Sequence, residues 1–173
     1  YKRQEKEYKS IIERTKNAKS GEEQFEIHRE YYKFTADVQT SMELAMIRHD
    51  IDTTDEFYEK ESNFYDEVGP IISQYENEYG KVLYDSPYRD YLESKIGKVT
   101  FKNIEIANKA FDEKIIPLMQ EENALSSRYS KLIATAKIPF EGEVYNLSLM
   151  KKFQTSPDRE LRRKAWKAVS DYF

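Results

Sequence analysis

Residues 52–83 read DTTDEFYEKESNFYDEVGPIISQYENEYGKVL, and the spacing of the apolar residues in this stretch decides the fold class. Phe57, Phe64, Val68, Ile71, Ile72, Tyr75, Tyr79, Val82 and Leu83 recur at intervals of three, four and seven, the spacing that lines one side of an α-helix. Thr53 and Glu56 stand at capping-box spacing ahead of it, where hydroxyl and carboxylate can satisfy backbone donors left unpaired at a helix start. A helix near 30 residues spans roughly 45 Å. Gly69-Pro70 lies in its middle, and proline there removes one helical N–H and crowds the preceding turn, so the sequence predicts a kink rather than a break.

The flanking segments repeat the theme. Residues 2–18 place Tyr8, Ile11 and Ile12 on one helical face, and Ser20 with Glu23 forms a capping box before a long helix. From Phe25 to Ile47, residues 25, 32, 36, 42 and 46 make one apolar stripe and residues 27, 31, 34, 38 and 45 a second, a width that predicts neighbours on both sides. Downstream, Ser86-Pro87 and Gly97 bracket a short helix over 87–96, and another is predicted over 100–110. A longer one over 113–136 carries Leu118, Leu125, Tyr129, Leu132, Ile133 and Ala136 on one side, with Pro117 near its start. Residues 137–147 then alternate apolar and polar around Glu141-Gly142, which reads as a β-hairpin. Ser148 is placed to cap a one- or two-turn helix, and Ser156-Pro157 to open a last helix bearing Leu161, Ala165, Val169 and Phe173. The expected fold is all-α: an antiparallel bundle of long helices, one kinked near Pro70, plus one small hairpin. The expected organisation is a bundle over 1–136, the hairpin over 137–147, and over 148–173 the start of a following helical part truncated at its carboxyl end.

Composition agrees. Five Gly and five Pro in 173 residues leave little for turns, and 35% charged against 39% hydrophobic residues, with a mean hydropathy of −0.87, excludes fibrous, collagen-like and membrane-embedded classes. The longest apolar run, Ile115–Met119, is far short of the ~20 residues that cross a bilayer, and no signal segment opens the chain, which favours the cytoplasm. A net charge of −4 gives no basis for nucleic-acid binding, and zero Cys excludes disulfides, thiolate metal sites and cysteine nucleophiles. The chain begins at Tyr1 without an initiator Met and ends at Phe173 inside a helical pattern, so a piece of something longer is expected.

Chemistry-bearing motifs are few. His28 and His49 are the two histidines; neither opens an H-E-x-x-H and neither has Glu three residues before it, so both read as ordinary bundle histidines. Asp50, Asp52, Thr54 and Glu61 match calcium-loop positions one, three, five and twelve, but Asp55 stands where the sharp turn needs Gly, and capping of the long helix explains the same residues. Phosphate-binding glycine loops and a G-x-S-x-G elbow are absent. Glu121-Glu122 reads as a solvated face, and so does the basic run of Arg159, Arg162, Arg163, Lys164 and Lys167, diluted by Asp158, Glu160 and Asp171. The tyrosines read as core, and the sequon Asn146-Leu147-Ser148 as chance.

Residues 48–61 (RHDIDTTDEFYEKE), 66–70 (DEVGP), 120–143 (QEENALSSRYSKLIATAKIPFEGE) and 156–165 (SPDRELRRKA) together resemble, in sequence and order, the amino-terminal region of oligoendopeptidase F in the thimet-oligopeptidase family of zinc metallopeptidases. That resemblance implies a cytosolic endopeptidase cutting short, unstructured peptides. It implies zinc held by an H-E-x-x-H and a Glu later in the chain, with the motif's own Glu activating water. The helical amino-terminal part would be one wall of a deep cleft too narrow for folded proteins. None of those catalytic positions falls in this sequence, so no residue is assigned as catalytic, cofactor-binding or metal ligand. The expected partners are oligopeptide substrates and the catalytic remainder of the same chain, with no nucleic acid and no membrane. An alternative is a freestanding helical adaptor without enzymatic activity.

Overall fold

Helix α1 (Lys2–Asn17) opens the part of the chain that the computed structural model describes, residues 2–173. Tyr8, Ile11, Ile12 and Thr15 form its buried side. Helix α2 (Gly21–Ile51) starts where the Ser20 hydroxyl accepts from the Glu23 N–H at 3.1 Å, and the Glu23 carboxylate reaches back to the Lys19 N–H at 2.6 Å, one residue earlier than a strict capping box. Its second stripe packs most deeply, with Ile27, Val38 and Ala45 buried; of the first, Phe25 and Met42 are half-buried against the core, whereas Tyr32 and Met46 face solvent.

Helix α3 (Glu56–Tyr84) is the decisive stretch. Asp55 rather than Thr53 caps it, accepting from the Phe57 and Tyr58 N–H groups at 2.8 and 3.1 Å, because a carboxylate one residue before the helix reaches two free donors at once. The helix runs on through Pro70, whose ring is fully buried. Lacking an N–H, Pro70 leaves the carbonyl of Asp66 without its helical donor. The Asn123 side-chain amide donates to that carbonyl at 3.1 Å, and Gln120 donates to the adjacent Glu67 carbonyl at 2.7 Å. Val68, Ile72, Tyr79 and Leu83 are buried; Phe57 and Phe64, of the same periodic set, are exposed.

Helix α4 (Arg89–Ile96) begins two residues later than predicted, since the Ser86 hydroxyl accepts from the Tyr88 N–H and makes a turn there instead of a cap. Gly97, at φ +91°, ends it and leads into α5 (Lys98–Ala110). A 3-10 turn (Glu113–Ile115) precedes α6 (Ile116–Ala134), with Pro117 in its first turn. Strands β1 (Ile138–Phe140) and β2 (Glu143–Tyr145) pair antiparallel in the register Ile138 to Tyr145 and Phe140 to Glu143. Glu141 and Gly142 both have positive φ, 49° and 88°, the signature of a two-residue I′ turn. Asn146, not Ser148, caps α7 (Leu147–Gln154), its side chain accepting from the Leu149 N–H at 2.8 Å. Likewise Asp158, not Ser156, caps α8 (Arg159–Tyr172).

The described residues are 82% helical, with eight α-helices and this one small sheet. Two compact units divide at Asn123 and Ala124. In the first, α1, α2 and α3 pack on one another, α5 lies on α3, and α4 touches α2 and α5. Its core holds Ile11, Ile12, Ile27, Tyr79, Leu83, Leu92 and Phe101, beside a second cluster of Tyr8, Val38, Val68 and Ile72. Burying one such side chain is worth about 1.5–3 kcal/mol. In the second unit the hairpin packs on α7 and α8 through Ile138, Phe140, Met150 and Ala165.

Candidate functional site

The densest polar grouping in the first unit lies where α1, α2 and α3 meet. Tyr31 and Tyr79 stack with ring centroids 3.7 Å apart, Tyr8 stacks on Tyr75 at 5.6 Å, and Phe34 meets Tyr8 edge-on at 4.8 Å. The Tyr8 hydroxyl donates to Glu76 Oε1 and the Tyr75 hydroxyl to Glu5 Oε1, each at 3.2 Å. His28 Nδ1 lies 3.0 Å from the Tyr79 hydroxyl in a hydrogen bond. Burial pushes the Glu76 carboxyl above the usual carboxylate range, opposed by the bond from Tyr8. Burial also lowers the His28 pKa, keeping the imidazole neutral, and raises the phenols of Tyr8, Tyr31 and Tyr79. These groups satisfy one another between three helices. The arrangement spaces the helices.

The histidines and the acidic template residues go to structural tasks. His28 is engaged with Tyr79, and His49 is buried near the end of α2, 3.9 Å from the Asp50 carboxylate. Asp52 Oδ1 accepts from both the N–H and the hydroxyl of Thr54, Asp55 caps α3, and Glu61 pairs with Arg48 at 3.6 Å. Among the described residues no group of three or more His, Asp or Glu side chains is placed to hold a metal ion. A zinc site therefore does not fit the donors of the described residues. No helix of the described residues is long and apolar enough to cross a membrane. The basic residues of α8 are largely paired at helical spacing, Arg163 with Glu160 and Lys167 with Asp171, while Lys164 reaches Glu141 of the hairpin turn.

What the chain does present is apolar surface. In the first unit Leu44, Met46, Ile47 and Ile51 near the end of α2 are exposed, as are Phe57 and Phe64 of α3. A shallow groove of about 740 Å3 runs along this part of α2, lined by Ala36, Gln39, Met42, Glu43, Met46 and Ile47. In the second unit Lys152 Nζ sits over the rings of Tyr145 and Phe153 at 4.9 and 4.6 Å. Leu125, Tyr129, Leu132, Val144, Leu149 and Trp166 of that unit are exposed. Sequence periodicity placed Leu118, Leu125, Tyr129 and Leu132 on one side of a helix. The structure turns all four outward, and α6 has no buried residue. Periodicity registers that a face is apolar, and carries no information on what covers it.

Similarity to known proteins gives this surface a context. The sequence profile of the Peptidase M3 N-terminal domain matches residues 1–111. Pz peptidase A, solved with inhibitor 2, superposes with a TM-score of 0.96 at 38% identity over 99% of this chain. An oligoendopeptidase F solved at 3.1 Å gives 0.95 and 37%, and one from Bacillus anthracis str. Ames gives 0.94 and 34%, each again over 99% of this chain. The chain covers only 31%, 30% and 31% of those three structures, respectively. No curated protein sequence matches it. On the profile match and the shared architecture, the chain belongs to the Peptidase M3 family, as its N-terminal domain.

Proposed function

We propose that the parent protein is a cytosolic zinc metalloendopeptidase that hydrolyses short oligopeptides, and that residues 1–173 form a non-catalytic wall of its substrate cleft. The observation that carries this reading is the likeness, at 38% identity and a TM-score of 0.96, to a peptidase solved with an inhibitor. Zinc, when bound, would lower the pKa of a water and polarise the peptide carbonyl, and its ligands would lie outside this chain. The part left to residues 1–173 is mechanical. Helices α2 and α3, of 31 and 29 residues, are locked by the tyrosine stacks and by the amides of Gln120 and Asn123, so they offer a peptide a stiff boundary. A rigid wall holds an extended chain in register and keeps a folded protein out, which lowers the entropy lost on reaching the reactive geometry.

The test is a ladder of fluorogenic peptides, from five to about thirty residues, given to the full-length protein with and without a zinc chelator. Cleavage of the short members, lost on chelation and restored by zinc, is the expected outcome, with no cleavage by residues 1–173 alone. Full activity after complete metal removal, or equal cleavage of a folded substrate, would sink the proposal.

A further inference from the structure

Helix α6 has two faces of opposite character. On one, Ile116, Gln120, Asn123 and Ser127 are half-buried, with Gln120 and Asn123 bonded to carbonyls of α3. On the other, Leu118, Leu125, Tyr129 and Leu132 follow at intervals of seven, four and three, which at 100° per residue keeps them within about 60° of one another. Leu125, Tyr129 and Leu132 are 53%, 60% and 49% exposed. Single exposed apolar residues are ordinary; a row on the side of a helix opposite its half-buried, hydrogen-bonded face marks an interaction surface. Glu121, Glu122 and Arg128 flank the row, giving it the polar rim of an interface.

We propose that the row Leu125, Tyr129 and Leu132 is the seat of another segment of the same polypeptide, the catalytic remainder of the enzyme. This rests on the reading of residues 1–173 as one part of a longer peptidase. Length selects this occupant over others. The solved relatives match 99% of this chain yet are about three times as long, so a protein of this kind carries the chain needed to cover the row. A tethered segment also binds at a high effective concentration without the translational entropy that a separate partner would lose.

The experiment places single cysteines at Leu125, Tyr129 or Leu132 in a cysteine-free background of the full-length enzyme. Maleimide labelling is timed in native buffer and again in urea, with Arg128→Cys on the flank as comparison. At least a tenfold slower native rate at the three row positions, with a much smaller slowing at Arg128→Cys, is the expected result. Hydroxyl-radical footprinting of Tyr129 in the unsubstituted enzyme gives the same readout without relying on a variant that folds. Native and unfolded rates within threefold of each other by both methods would overturn the proposal. So would protection that disappears on dilution to monomers, which assigns the row to a second copy, or protection that appears only with a peptide inhibitor, which assigns it to substrate. Peptide cleavage is measured on the same sample: protection in a protein without peptidase activity supports the surface and refutes the reading of the activity.

Discussion

Pro70 and Asn123 are separated by 53 positions, yet one backbone oxygen joins them. Proline withholds the N–H that would bond the Asp66 carbonyl, and Asn123 supplies a donor at 3.1 Å. Replacing Asn123 by Ala should remove that donor from the Asp66 carbonyl. An unmade bond to a buried polar group costs about 1–3 kcal/mol, and Asp66 is only half-buried, so a loss near 1 kcal/mol is expected. In the background of Pro70→Ala the new amide at position 70 can satisfy the same carbonyl from within α3, and Asn123→Ala should then cost almost nothing. The two substitutions are thus expected to be non-additive by about 0.5–1.5 kcal/mol, in the range found for residues sharing one hydrogen-bond partner. Urea unfolding of the four proteins of the cycle, followed by far-ultraviolet circular dichroism, measures the difference. A coupling below about 0.3 kcal/mol, the scatter seen for independent sites, would refute the assignment of Asn123 as the substitute donor.

Glycine positions in two helices should respond in opposite directions. A Cβ at Gly21 would lie 2.7 Å from Tyr91 Cδ1 and 3.1 Å from Tyr91 Cβ, so Gly21→Ala should cost about 1–3 kcal/mol by overpacking and lower Tm by several degrees. At Gly80 the nearest atom is Ile104 Cγ2 at 3.4 Å, and Gly80→Ala in the interior of α3 should raise stability by up to about 1 kcal/mol; thermal unfolding with equal signs at the two sites would contradict the packing. Because burial lowers the His28 pKa in the folded state, the unfolded chain takes up that proton more readily. The contribution of His28 is therefore present above the ordinary value of 6.5 and lost as pH falls through the lowered one. Glu76 has the opposite sign: with its pKa raised above 4.5 by burial, its contribution is present at low pH and lost as pH rises through the folded value. Melting curves from pH 4 to 8 should show His28→Gln removing part of the acid-side decline, and Glu76→Gln raising Tm at neutral pH; unchanged profiles would contradict both assignments. In the full enzyme, Pro70→Ala should alter KM across peptide lengths more than kcat, and identical kinetics over the ladder would count against a role of this helix in shaping the cleft.

Helix positions were readable wherever the apolar period ran long, as in α2 and α3, because one strong face suffices to mark a helix. Their starts were less so. Thr53, Ser148 and Ser156 each stand where a cap could be, but the side chains of Asp55, Asn146 and Asp158 reach the free N–H groups in the structure. Several polar residues near a helix start can each serve, and which one wins depends on backbone angles that the order of residues leaves open. The hairpin was legible down to its turn, since Glu141-Gly142 admits the two positive φ angles of a tight reversal. Burial was legible only in part. The stripe through Ile27, Val38 and Ala45 is covered within the chain, and the stripe through Phe25, Tyr32, Met42 and Met46 is covered only at Phe25 and Met42, although the two look alike as patterns. The link between Asn123 and Pro70 left no local mark at all, because it depends on two helices meeting.

Trp166 is the single tryptophan of these 173 residues; it lies on α8 and is 59% exposed. The indole is thus carried by the second unit, whereas the tyrosine stacks belong to the first. Fluorescence-monitored melting would therefore follow residues 124–173, whereas the circular dichroism signal is dominated by the long helices α1 to α3. Two transitions recorded on one sample would then report two objects, and their failure to coincide would show that the units lose structure separately.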